Sequence, residues 1–543
     1  MLIFANQLCG INLKLFVSLD GRVSLSKLNV SMFVIDSCGL IQSSYKRMPP
    51  MINTWNVNTS SDTPGTAMLR VTVRIGVFFD GTGNNRVNSQ IGADCKAMAE
   101  INNNAHIREC KGRHDESGSS YANDFSNIAR LAGLYRLQPK ASNSGAGLNV
   151  YWPVYISGAG TISGGRDSFW PGQTFGRGPT GVIAKVARAM QKIGERLKGF
   201  SRDNPDCVIV ALGFDVFGFS RGAAAARHFI NEVLKEDKGS LEPALNQRKV
   251  PLSAEFSWRN GSITIKFVGL FDTVAAIGGF KDLGNVSDAS NRNVNLYLPP
   301  GSVEHVVHLV ARDELRRNFA LNSVAPHWPR EILLPGAHSD IGGGYHPQMQ
   351  ERVLLTRPRW SVAGCDTPSE LTGAWRKAYG DLQALDASEL VDPLDSDASL
   401  SVVCEQATLM KSCNKLNVKS VMAAVCLRRK VFGHLSLVHL RVMHGLACAD
   451  GVPFEAIPVS DAFNLPPELQ RIVQKLTDYA ENGIYTLDEQ EERLLRRRYI
   501  HRSAHWEAAI RGTGQLNDAL FVHAPAQGGR VRHPNVEMPG YSL

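Results

Sequence analysis

Apolar and polar positions alternate in a way that resolves into strands and helices from residue 69 onward. Leu69 to Phe79, LRVTVRIGVFF, is β-branched and aromatic and stops abruptly at Asp80-Gly81-Thr82-Gly83-Asn84-Asn85. This predicts a buried strand that empties into a Gly/Asn loop, the place where α/β enzymes set backbone groups at the carboxyl edge of a sheet. Asn149 to Ile156, Cys207 to Phe219, Ile263 to Phe271 and Glu331 to Leu334 predict further strands. Val182, Val186, Met190, Ile193 and Leu197 recur at helical spacing, with Lys185, Arg188, Lys192 and Arg196 between them. That pattern predicts a helix covering the sheet with a solvated basic face; contact of that face with lipid is the alternative. Ala223 to Ala226 predict another helix start. Strands alternate with helices, so the expected fold is α/β with a mainly parallel central sheet.

After Tyr345 the periodicity fades. Residues 347–430 mix polar, proline-containing and short apolar pieces and read as an insertion or cap. Helical spacing resumes at Leu437 to Cys448, Pro466 to Ala480 and Leu487 to Arg498. The expected organisation is an N-terminal extension and polar linker over 1–66, with Met48 or Met51 as alternative starts, and a catalytic core over 67–346. Beyond the insertion, 431–510 completes the core with helices and 511–543 forms a loose tail. There is no internal repeat.

Composition narrows the classes. The 543 residues, 43% apolar and 20% charged with 49 Gly, suit a large globular enzyme rather than a fibrous or disordered chain. The net charge of +8 comes without a dense Lys/Arg run, so nucleic acid is not the expected partner. Ten cysteines show no C-x-x-C pair and read as reduced thiols rather than a disulfide or zinc framework. Met1 to Leu19 lacks the basic start of a Sec signal, and no apolar window is long enough for a membrane helix. A membrane would be met from outside.

The chemistry centres on Gly218-x-Ser220-x-Gly222, placed between a predicted strand and a predicted helix. This is the nucleophile-elbow pattern: small residues on either side let the chain turn sharply enough to expose the serine oxygen. A serine hydroxyl needs an imidazole to take its proton and a carboxylate to orient that imidazole. Asp272, at the end of one predicted strand, and His338, just past another, follow in the expected acid-then-histidine order. Alternatives stand beside each. Asp272 also fits an Asx-turn cap, and His501 and His505 are rival late histidines. Asp340 fits either a substitute acid or a support for the Gly342-Gly343-Gly344 loop. The oxyanion donors expected are the Arg221 amide and the Gly81-Thr82 loop, which a plain turn would also explain. Asp80 could bind a cation, but no carboxylate cluster accompanies it.

Four motifs in order, Phe78-Phe79-Asp80-Gly81-Thr82-Gly83-Asn84-Asn85, Gly218-Phe219-Ser220-Arg221-Gly222, Phe271-Asp272-Thr273-Val274 and Pro335 through Tyr345 (PGAHSDIGGGY), resemble the GFSRG-type phospholipase effectors of bacterial type VI secretion systems, the first family of the Tle superfamily. The resemblance covers roughly 70–345 and resumes at Leu440 to Phe454. It implies an α/β-hydrolase that cleaves fatty acyl esters of membrane glycerophospholipids, with Ser220, Asp272 and His338 as triad and no metal or cofactor. It further implies delivery by the type VI machinery, without a Sec signal, to the periplasm of rival bacteria, a secretion spike protein for loading and a cognate immunity protein. A soluble-substrate esterase or thioesterase, and an inactive hydrolase scaffold that binds a partner, are the rival readings.

Overall fold

Strand alternation sets the two faces of the central sheet. The computed structural model describes residues 68–100, 120–143, 148–163, 167, 178–246, 250–275, 293–409, 418–507, 521 and 523–537. Residues 1–66, most of the Gly-rich stretch before Gly178, and 508–520 of the expected tail lie outside the described residues. Seven strands form the sheet: β1 (Leu69–Phe79), β2 (Gln138–Asn143), β3 (Leu148–Ile156), β4 (Cys207–Phe219), β5 (Ile263–Phe271), β6 (His305–Ala311) and, beyond the two-residue β7 (Leu321–Asn322), β8 (Glu331–Leu334). Their order is β2-β3-β1-β4-β5-β6-β8, and every pairing is parallel except β2 with β3.

Because side chains alternate across a strand, β4 sends Phe214 and Val216 to one face and Phe217 and Phe219 to the other. The first face is covered by α1 (Val182–Asp203), whose Val182, Val186, Met190, Ile193 and Leu197 stripe is buried as its spacing predicts, and by α2 (Arg221–Leu234), whose alanines allow close approach to the strands. After the short α3 (His338–Gly342) at the sheet edge, the second face packs against α4 (Leu435–Ala449), on which α5 (Pro467–Asn482) lies in turn. Full burial of each large side chain in these layers contributes about 1.5–3 kcal/mol, so the two faces jointly fix where the strand ends lie.

The interval 347–430 is more regular than its sequence suggests. It builds a separate antiparallel sheet from β9 (Met349–Leu354), β10 (Arg359–Gly364), β11 (Ser399–Leu409) and β12 (Val418–Val431), with β12 paired to the other three. The C-terminal stretch also differs from the loose tail expected. β13 (Arg532–His533) pairs in parallel with β7, and Asn535 bonds Arg227 and Leu298. It lacks apolar periodicity because polar and backbone bonds hold it. Among the described residues no helix is long and apolar enough to cross a membrane, and Cys207, Cys365, Cys404, Cys426 and Cys448 are free thiols.

Candidate active site

Ser220 stands between the last residue of β4 and the first of α2, with φ 56° and ψ −126°. A non-glycine residue at positive φ costs of order 1–3 kcal/mol and persists only where its surroundings enforce it. Here the enforcement is steric. A Cβ on Gly218 would lie 2.5 Å from the Ala223 Cα, and one on Gly222 would lie 2.2 Å from the Phe79 carbonyl oxygen. Both glycines are required for β4 and α2 to meet β1 this closely. Ser220 itself is buried, its amide donating to the Phe271 carbonyl at 3.0 Å.

That bond ties the elbow to the end of β5, where Asp272 follows immediately with φ 42°. Its carboxylate is fully enclosed and accepts four bonds: Oδ1 from the Ala311 amide at 3.0 Å and Arg530 Nη1 at 2.7 Å, Oδ2 from Arg530 Nη2 at 2.8 Å and His338 Nδ1 at 2.5 Å. Burial alone would push the acid up, but the Arg530 guanidinium and the His338 hydrogen bond outweigh it and hold Asp272 well below the usual carboxylate range. It is therefore ionised and acts as an acceptor.

His338 opens α3 just after β8, and its ring lies between Phe219 at 4.7 Å and Phe319 at 4.9 Å between centroids. This places the imidazole beside the residue that precedes Ser220. Burial pushes His338 below its ordinary value, against the pull of Asp272, so the ring is neutral at pH 7. Among the described residues the Ser220 hydroxyl makes no hydrogen bond, so the expected three-member chain is present as its aspartate–histidine half. Such contacts are often long before substrate binds.

The rival histidines have other partners. His501 Nδ1 meets Asp340 Oδ1 at 2.7 Å and its ring stacks on Tyr345 at 3.7 Å, while His505 lies 4.8 Å from His523. Asp340 Oδ2 accepts the Ala337 amide at 2.9 Å and the His501 amide at 3.0 Å, so this acid holds the start of α3 against the chain at 501.

The loop after β1 needs one correction. The Gly81 N–H, expected as an oxyanion donor, is taken by the Asp80 carboxylate at 2.7 Å. Glycine is needed there for space: its Cβ would lie 2.4 Å from the Phe219 ring. Among the described residues the amides of Thr82 and Arg221 donate to nothing, and Arg221 Nε donates to Thr82 Oγ1 at 2.6 Å. Asp80 is buried, bonded by Tyr155 at 2.6 Å and pushed up to about 6 by burial. It is a support for the loop, and among the described residues no group of three or more His, Cys, Asp or Glu could hold a metal ion.

Arg530 was invisible to sequence reasoning. It sits in a Gly-Gly-Arg stretch without periodicity, and its partner Asp272 is remote in the chain.

Residues 235–364, an interval that holds Asp272 and His338, match the model of the catalytic domain of the Tle1-like phospholipase effectors of type VI secretion. The solved structure of the Tle1 effector bound to the VgrG spike of that system is similar at 29% identity and a TM-score of 0.67, over 93% of this chain and 100% of that one. Both matches are to Tle1-type effectors of that system. The likeness supports a lipid-hydrolysing effector of type VI secretion with the α/β architecture described above. An uncharacterised protein from Pseudomonas aeruginosa aligns over 79% of this chain and 52% of that one at 18% identity, but its TM-score of 0.33 carries no argument. No curated protein sequence matches the chain.

Proposed function

We propose that this protein is an antibacterial phospholipase of α/β-hydrolase fold that hydrolyses fatty acyl esters of glycerophospholipids through Ser220, His338 and Asp272. The observation that carries the reading is the 2.5 Å bond between His338 Nδ1 and Asp272, set beside a serine in strained backbone geometry. His338 Nε2 takes the Ser220 proton as Oγ attacks the ester carbonyl, and the ionised Asp272 steadies the imidazolium that forms. The free amides of Arg221 and Thr82 hold the oxyanion. His338 then returns the proton to the departing glycerol oxygen, leaving an acyl-serine. Water, deprotonated by the same imidazole, releases the fatty acid and restores Ser220. Each bond broken is matched by one formed without a metal or cofactor.

Delivery and partners follow from the relatives. A chain similar to an effector held on a secretion spike is itself proposed to load on such a spike, to reach the periplasm and membrane of a target cell, and to be countered in the producer by an immunity protein. The antiparallel sheet of β9 to β12 is proposed as the inserted cap or membrane-docking region. The test is mass spectrometry of products from phospholipids with two different acyl chains, using wild type and Ser220→Ala. The expected result is one free fatty acid and the complementary lysophospholipid with wild type only. Hydrolysis of dispersed short-chain esters without hydrolysis of vesicles would instead favour a soluble-substrate esterase. Toxicity that survives in a folded Ser220→Ala protein would favour a partner-binding scaffold.

A further inference from the structure

We infer that the Arg221 side chain binds the phosphodiester of the lipid substrate, so that one residue holds the oxyanion with its backbone and the headgroup phosphate with its guanidinium. This rests on the phospholipase reading and names what selects the substrate within that site.

Arg221 is half-buried and has a single hydrogen bond, from Nε to Thr82 Oγ1. Its Nη1 is enclosed without a partner, and among the described residues no carboxylate lies within ion-pair distance of it. Most other enclosed guanidiniums are provided for, although Arg502 Nε, away from the serine, is likewise enclosed without a partner. Arg530 grips Asp272, Arg316 grips Glu314, Arg429 grips Glu351, and Arg227 donates to three backbone carbonyls and Asn535. The nearby Asp80 is committed to Tyr155 and the Gly81 amide, and the void it shares with Arg221 is only about 10 Å³. That volume admits at most one water and leaves the cation uncompensated.

A charge taken partly out of water and left unpaired is costly. Burial lowers Arg221 only to about 10, so it stays charged at neutral pH. Three features then specify what completes it. The group is a permanent cation whose Nη2 can donate a charge-assisted bond to a phosphate oxygen. It lies at the first turn of the fourteen-residue α2, where the helix dipole also favours an anion. It adjoins the nucleophile, and in a glycerophospholipid only the glycerol separates the scissile ester from the phosphate. The bond to Thr82 uses Nε and Nη1 is enclosed, so Nη2 is the nitrogen left open to a ligand. A neutral lipid with the same acyl chains offers nothing to this nitrogen.

The test compares phosphatidylcholine with the diacylglycerol carrying the same acyl chains, each in the same neutral detergent micelles, so that surface charge does not differ. The readout is the ratio of kcat/KM values for wild type, Arg221→Met and Arg221→Lys. Wild type is expected to prefer the phospholipid. Arg221→Met should reduce that preference about 30-fold or more, the loss of a charge-assisted hydrogen bond, and Arg221→Lys should restore part of it. An equal fall on both lipids would overturn the assignment and leave Arg221 as a support for Thr82. Inorganic phosphate added to the diacylglycerol assay separates the sources of the anion: inhibition that Arg221→Met abolishes, in an enzyme with no phospholipid preference, would make the site one for free phosphate and overturn the lipid assignment. If wild type cleaves neither lipid, the proposed function itself fails, and this inference with it.

Discussion

His338 with Asp272 and His501 with Asp340 form two buried pairs of similar length, 2.5 and 2.7 Å, and the two central residues His338 and Asp340 lie on the same short helix. Their surroundings differ. Asp272 carries a bidentate Arg530 and a backbone amide in addition to its histidine, while Asp340 spends its second oxygen on the amides of Ala337 and His501. The His338 ring packs on Phe219, next to the strained serine, whereas the His501 ring is stacked flat on Tyr345 and its Nε2 is enclosed without a partner. A histidine–aspartate bond by itself therefore does not distinguish the proposed catalytic pair. What separates the pairs is where the distal imidazole nitrogen can act: beside an elbow in one case, within packed side chains in the other.

Substituting each histidine in turn breaks this comparison most sharply. His338→Gln should lower kcat/KM by about 10⁴-fold or more, because the hydroxyl loses its proton acceptor. His501→Gln should act mainly on stability, by about 1–3 kcal/mol, since it leaves Asp340 under-satisfied. Steady-state kinetics beside urea unfolding would read the two effects separately, and a larger kinetic loss at His501 would reverse the assignment.

Arg530→Met comes next. Its loss should reduce kcat/KM about 100-fold through misorientation of Asp272 and should also move the pH profile. The sign is fixed by charge. Arg530 neutralises part of the Asp272 charge, so removing it stabilises the imidazolium and raises the His338 pKa. In wild type that pKa is depressed by burial, and the neutral ring, the proposed base, persists below its ordinary titration range. The acidic limb of kcat/KM should therefore shift to higher pH in the variant. An unchanged limb would mean that Arg530 acts on structure alone.

The smallest effect belongs to the second pair. Tyr345→Leu removes the ring stacked on His501 and should cost about 0.5–1.5 kcal/mol beyond the area lost, measured by thermal melting, with kcat/KM changed less than about threefold. A large kinetic loss would show that the two pairs are coupled through α3.

Much of the fold was legible because apolar runs end at small or acidic polar residues. β1, β4 and β5 stop at Asp80, Ser220 and Asp272, and each stop is where a supporting or proposed catalytic group stands. β6, His305–Ala311, escaped because His308 interrupts its apolar run; buried, it meets Glu331 at 3.0 Å and the Thr273 amide at 3.1 Å. Its polarity hid a strand. The sheet of β9 to β12 escaped because β9 and β10 alternate buried or half-buried with exposed positions over only six residues each. Of the proposed site, Ser220, Asp272 and His338 stand out from local pattern, since each follows a strand. Arg530 does not, because nothing in a Gly-rich segment signals a partner far away in sequence. The Gly81 amide was misread because the motif does not reveal that the neighbouring carboxylate takes it.

The central claim is that Ser220 is made reactive by His338 and not by His501. Labelling with a fluorophosphonate, followed by peptide mass spectrometry, tests it directly, because the probe forms a covalent bond only with an activated hydroxyl. The account predicts modification at Ser220 in wild type and in His501→Gln, with none in His338→Gln. Labelling that persists in His338→Gln but vanishes in His501→Gln, or that falls on another residue, would contradict it.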